Sequence, residues 1–248
     1  MLNNLEAAPV FKYFEEISKR PRESGNEKAI SDYLISFAKE NNLEFDRDKV
    51  NNVLIKKQAS NGYENAQTII LQAHMDMVCV KTENSKHDFS KDPIELIIEG
   101  DNIRARDTSL GADNGMGMAI ILAVLADKNI AHPKIEALFT VDEERAMLGT
   151  ENFDLNKLSG KILFNLDSES DNIFTAGSGG SVNLNIIYDI KREKNTLPAY
   201  EIKIDGLLGG HSGMEIVNER ANAIVLLTRL LYKLKPKFNY SLIDKIFK

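Results

Sequence analysis

The chain has 248 residues, 43% of them hydrophobic and 27% charged, with a formal net charge of −6. This is the balance of a globular protein with one large domain or two smaller ones, and its acidity argues against nucleic-acid or anionic-membrane partners, which call for basic surface. A single cysteine excludes an intrachain disulfide framework and any Cys-rich zinc module.

No signal-peptide pattern opens the sequence, which makes the cytoplasm the expected location. The longest uncharged apolar run, residues 115–126, is too short to cross a bilayer about 30 Å thick. In chain order, Ser24 and Glu27 in SGNE form a capping-box pattern ahead of Ala29, Ile30, Tyr33, Leu34, Phe37 and Ala38 at helical spacing. Residues 53–55 and 68–73 read as strands, the second (TIILQA) apolar throughout as in a sheet covered on both faces. Residues 94–98 and 102–105 suggest a hairpin, 116–126 a buried helix, and 135–141 and 161–166 two further apolar strands. Strands alternating with helices predict an α/β domain over residues 1–180 with a mostly parallel sheet. Residues 181–248 read as the start of a second domain, with half-exposed strands at 182–190 and 200–204. A Gly-rich turn there leads into a helix over 214–234.

Four short motifs carry chemical signal. AHMD places His74 and Asp76 at i and i+2 as a strand ends, so both point to one side. Asp76 is then placed to orient one imidazole nitrogen while the other faces a metal; a surface His beside a surface Asp is an equally good reading. LGADNG sets Asp113 between glycines ahead of a helix, where a plain helix cap is the simpler alternative. TVDEE packs Asp142, Glu143 and Glu144 at a strand end, where like charges need a cation to neutralise them unless they begin a helix. NLDSE closes another apolar strand with Asp167, which also suits a loop or cap. All of these residues except Asp113 follow apolar strands at their carboxyl ends, where functional groups collect in open α/β sheets. One imidazole with several carboxylates suits Zn²⁺, and also Mn²⁺ or Co²⁺. The carboxylate number favours two metals about 3.5–4 Å apart. Cys79 in MVCV reads as an inert core thiol, and His87 and His132 as surface residues.

Taken together and in order, LQAHMDMVCV, LGADNGMGMA, TVDEERAMLGT, NLDSE and GGHSGMEI resemble the aminoacyl-histidine dipeptidases, also called Xaa-His dipeptidases, peptidase D or bacterial carnosinases. The resemblance implies a zinc-peptidase catalytic domain with an inserted α+β lid, and it covers essentially the whole chain. It implies that His74 and Asp167 bind one zinc, Glu144 the other, and Asp113 both. It further implies that Asp76 orients His74, that Glu143 is the general base, and that His211 in the lid helps hold the substrate, with homodimerisation through the lid. The substrate implied is a dipeptide of the Xaa-His, carnosine-like type. The family draws a last metal-ligating His from a segment beyond the lid, and His211 is the final His of this sequence. The chain is therefore expected to end inside the lid, with low solubility alone. A catalytically inactive fragment keeping partial metal binding stands as one alternative, and a related amidase or tripeptidase as another.

Overall fold

A computed structural model describes residues 6–168, 172–177, 184–194, 196–210 and 215–243. The chain divides into two compact units, Met1–Gly179 and Gly180–Lys248. The first opens with helices α1 (Ala8–Ser18) and α2 (Lys28–Glu40), then strands β1 (Glu44–Arg47), β2 (Val53–Lys57) and β3 (Ile69–His74). A hairpin of β4 (Leu96–Glu99) and β5 (Asn102–Ala105) follows, then α3 (Ala112–Ala126), β6 (Ile135–Thr140), α4 (Leu148–Asn152) and β7 (Ile162–Asn165).

Five strands form one sheet in the order β1-β2-β6-β3-β7. β6, β3 and β7 run parallel, whereas β1–β2 and β2–β6 are antiparallel. The sheet is thus mixed rather than mostly parallel. The link from β1 to β2 is too short for a crossover and permits only an antiparallel pair. β1 itself, with all four residues exposed, has no apolar run that would have announced it.

Strand periodicity divides the core. Val53, Ile55, Ala73, Ile135, Ala137 and Phe139 point to the face covered by the helices, where Phe14, Ile17, Ile30, Leu34 and Met118 complete the main core. The alternate residues Leu54, Ile70 and Leu138 meet Phe153 on the other face. Each buried Val, Ile, Leu, Phe or Met among them contributes roughly 1.5–3 kcal/mol. α3 buries residues around most of its circumference, as its uniformly apolar sequence requires.

Glu136 is the one charged residue of β6. It is fully buried, and its carboxylate accepts the amides of Ser159 (2.8 Å) and Gly160 (3.0 Å) and the Ser159 hydroxyl (2.7 Å). It thereby fixes the turn that leads into β7, one of the sheet's two edge strands.

The capping box does not form. Glu27 occupies the N-cap of α2 without a side-chain cap bond, because its carboxylate accepts the amides of Gly25 (2.9 Å) and Asp142 (3.0 Å) instead. His132 is buried, not superficial, with Nδ1 2.7 Å from the Pro133 carbonyl. Cys79 is only half-buried.

In the second unit, α5 (Ala223–Leu234) is capped by the Asn222 side chain, which accepts the Val225 amide. The helix begins later than its apolar pattern suggested, after a single 3₁₀ turn at Ile216–Asn218. Among the described residues of this unit no strand forms. Ile186, Ile187 and Tyr188 are exposed, and alternation makes a strand only where a partner ladder accepts it. His211 lies outside the described residues.

Candidate metal centre

The site stands at the carboxyl ends of the three parallel strands. His74 is the last residue of β3, Glu143 and Glu144 follow β6, and Asp167 follows β7. Register aligns them: His74 pairs with Thr140, and Gln72 with Asn165, so Asp167 leaves its strand level with His74. Asp113 arrives from the first turn of α3. Gly111, at φ 69°, makes the preceding turn in a conformation that disfavours any residue with a Cβ, and the Asp113–Asn114 peptide is cis. Gly117 brings α3 close to β7, since a Cβ there would sit 2.6 Å from the Leu166 carbonyl oxygen.

His74 is buried with both ring nitrogens facing oxygens. Nδ1 lies 3.1 Å from the Asp76 main-chain oxygen and 3.4 Å from its Oδ1. Nε2 lies 2.9 Å from Asp113 Oδ1 and 3.7 Å from Asp167 Oδ1. Burial alone would lower this imidazole, but the hydrogen bonds to Asp113 and Asp76 and the charge of Asp167 outweigh it and push it up to about 10. Asp167 is pushed up to about 6, by burial first and then by the Asp113 charge. Burial and the same Asp113 charge raise Glu144.

Asp76 is fully buried. Its Oδ1 accepts the Glu143 amide at 3.0 Å, and its Oδ2 accepts the Glu144 amide at 3.1 Å and the Ser24 hydroxyl at 2.7 Å. Burial works to raise this carboxyl, yet the His74, Ser24 and amide hydrogen bonds hold it well below the usual carboxylate range.

Two groups of ligand atoms result, His74 with Glu143 and Glu144, and His74 with Asp113 and Asp167. Within each, the atoms lie within 4.8 Å of one another. An imidazole among four converging carboxylates fits divalent cations that accept N and O donors, since the crowded negative charge is otherwise unfavourable. The structure therefore assembles His74, Asp76, Asp113, Glu143, Glu144 and Asp167. His87 and Cys79 join neither ligand group: the His87 ring packs edge-on against Phe89, and burial pushes the Cys79 thiol up to about 11.

A model of peptidase family M20/M25/M40 matches residues 70–225, a span that contains every one of these side chains. The chain belongs to this family. Among M20/M25/M40 relatives, it is 40% identical to the cytosol non-specific dipeptidase of Escherichia coli K12 over 98% of its own length. It superposes on the aminoacylhistidine dipeptidase of Vibrio alginolyticus with a TM-score of 0.69 and 37% identity over 93% of this chain. A tripeptidase from Staphylococcus aureus shares the fold at a TM-score of 0.56, with 22% identity, over 67% of this chain and 45% of the other. The chain spans about half the length of its dipeptidase relatives, 50% of the E. coli protein and 48% of the Vibrio chain.

Sequence reasoning missed three residues of this M20/M25/M40 site. Arg22, Ser24 and Glu27 come from the loop between α1 and α2 and hold the site from below. Their one signal, the serine–glutamate spacing, pointed to a helix cap. No helix among the described residues is long and apolar enough to cross a membrane.

Proposed function

We propose that this chain carries the catalytic residues of a metal-dependent dipeptidase of the Xaa-His type, acting in the cytoplasm with two Zn²⁺. The observation that carries the reading is the convergence of His74 with the carboxylates of Asp113, Glu143, Glu144 and Asp167 at the ends of three adjacent parallel strands. The names and high identities of the E. coli and Vibrio relatives support the reaction class.

His74 and Asp167 are assigned to one cation, Glu144 to the other, and Asp113 to both. Cations held there supply Lewis acidity, polarising the scissile carbonyl and lowering the pKa of a water nucleophile. Asp76 does not touch the reacting atoms. It fixes the His74 ring and, through two amide hydrogen bonds, the backbone that presents Glu143 and Glu144. Glu143 is the general base: it takes a proton from the attacking water and returns it to the leaving amine. The unit Gly180–Lys248 is assigned to the lid, with His211 binding substrate and the lid pairing two protomers.

The test is a metal titration of the purified chain with Zn²⁺, Mn²⁺ and Co²⁺. A hydrolysis panel of Xaa-His dipeptides, other dipeptides, a tripeptide and N-acyl amino acids accompanies it. Two metals per chain with selective release of amino acids from dipeptides is the expected result. A folded chain that binds no metal overturns the reading.

A further inference from the structure

Arg22 has no counterpart among the residues assigned above. The residue is buried, 2% exposed, and its guanidinium's hydrogen bonds go to main-chain carbonyls rather than to a carboxylate. Nη1 donates to Met75 O at 3.1 Å and to Asp76 O at 2.9 Å, at the end of β3. Nη2 donates to Gly111 O, in the turn that delivers Asp113. One planar fork therefore spans the loop that carries His74 and Asp76 and the loop that carries Asp113. Arginine alone among side chains offers several fixed donors with this reach, whereas lysine offers a single ammonium. A guanidinium taken out of water in this way is costly unless something offsets it. The charges of Asp76, Asp113 and Glu144 lie near enough to act on it.

The glycines of LGADNG complete the arrangement. A Cβ at Gly111 would collide with Arg22 Nη2 and lie 2.7 Å from Met77 Sδ, and one at Gly115 would lie 2.9 Å from Arg22 Nη2. Both glycines that flank Asp113 are thus seats for the guanidinium. The strap that carries Arg22 is itself tied to the β3 end, by a parallel bridge between Glu23 and Met77, by the Met77 amide on Arg22 O (3.1 Å), and by Ser24 on Asp76.

We infer that Arg22 is a positioning residue that locks the His74–Asp76 loop and the Asp113 loop at the separation the metal site requires, with Gly111 and Gly115 as its seats. The inference rests on the metal-centre reading. It predicts that the lock governs metal affinity more than it governs folding.

Three variants of the full chain test it by Co²⁺ titration, with the visible Co²⁺ spectrum and the thermal midpoint as paired readouts. Arg22→Lys keeps the charge and loses the fork. Gly115→Ala keeps Arg22 and displaces its fork, while favouring helix. Leu138→Ala, on the opposite face of the sheet, is a destabilised control. Arg22→Lys and Gly115→Ala should each weaken Co²⁺ binding by about 10–100-fold, the usual effect of losing a residue that orients ligands. Both should also change the Co²⁺ spectrum. Leu138→Ala should lower the thermal midpoint and leave affinity and spectrum intact. Co²⁺ binding and spectra in the two lock variants matching the native chain overturn the proposal, as does a loss of affinity in Leu138→Ala equal to theirs. If Arg22→Lys does not fold, Gly115→Ala decides. If neither folds, ¹⁵N-arginine spectra of the native chain decide: the Arg22 Nη protons should exchange slowly and shift on Zn²⁺ addition, and rapid exchange or no shift overturns the lock. Native chain that binds no Co²⁺ overturns the metal-centre reading and the lock together, whereas native binding with unaffected variants overturns the lock alone.

Discussion

The Asp76 carboxylate accepts the Glu143 backbone amide at 3.0 Å, so a residue two positions beyond His74 holds the loop that presents the proposed base. With the neighbouring Glu144 amide and the Ser24 hydroxyl on its other oxygen, Asp76 joins three segments distant in sequence. Asp76→Asn keeps the size and turns one acceptor into a donor facing a backbone N–H. Leaving that buried amide unpaired should cost about 1–3 kcal/mol, read as a shift in the denaturant midpoint. Metal affinity should fall by about 10–100-fold in the same variant, because the ligand loop is no longer held.

Glu143 and Glu144 are adjacent in sequence and are proposed for separate roles. Glu143→Gln should leave the metal content near that of the native chain and lower kcat for dipeptide hydrolysis by about 10²–10⁴-fold, the range for removing a general base. Glu144→Gln should lower the metal content itself. Metal analysis beside the kinetic assay separates the two, and equal metal loss in both would refute the assignment.

Metal removal should destabilise the first unit. Binding to the native state alone stabilises by an amount set by ligand concentration over Kd, about 2.7 kcal/mol at a hundredfold excess over Kd. Exhaustive chelation should therefore lower the melting temperature, and restoring Zn²⁺ should raise it in a concentration-dependent way. Differential scanning calorimetry at several Zn²⁺ concentrations measures this.

Glu136 gives a pH dependence that the metal site does not complicate. Burial works to raise its carboxyl, but the hydrogen bonds from Gly160, Ser159 and Lys134 win and hold it below its ordinary value. A depressed folded-state pKa means that this stabilisation is fully present above the unfolded value, about 4.3. It is then lost as pH falls through the lower folded value. Glu136→Gln sets an amide donor against the Ser159 and Gly160 donors and should cost about 1–3 kcal/mol at neutral pH. The gap between native and variant stability should narrow below about pH 4, as urea melts across pH would show.

The parts of this molecule that were legible in the sequence are those with one dominant cause. Strands β2, β3 and β6 and helix α3 follow from apolar runs that had to be buried, and β7 follows its apolar run although its residues stay exposed. That His74, Asp76, Glu143, Glu144 and Asp167 gather in one place was legible because charge is out of place at the ends of such strands, and Asp113 because it stands between glycines ahead of an apolar helix. β1 was not legible, because it is an exposed edge strand defined by its pairing with β2. Ser24 and Glu27 misled because the spacing that makes a capping box also suits two side chains reaching to Asp76 and to the Asp142 amide. Arg22 left no local signature: its partners Met75, Asp76 and Gly111 lie more than fifty residues away, and they are carbonyls, which every residue has. The strands expected near 182–190 needed a neighbour, and alternation alone does not supply one.

β7 is one edge of the sheet, joined to it through β3. A slip of one residue along β3 would carry Asp167 about 3.3 Å along the strand axis and turn it to the opposite face. Neighbouring strands stand about 4.8 Å apart, so the ruler that separates the metal-facing groups is the hydrogen-bond spacing of the sheet itself. Such a slip would cost little burial, since Ile162, Leu163 and Phe164 are already substantially exposed. The result would be a chain whose main core is intact and whose Asp167 no longer reaches the metal-facing side. Metal uptake is thus the more exacting audit of this sheet, reporting a misregistered edge that circular dichroism of the metal-free chain would miss.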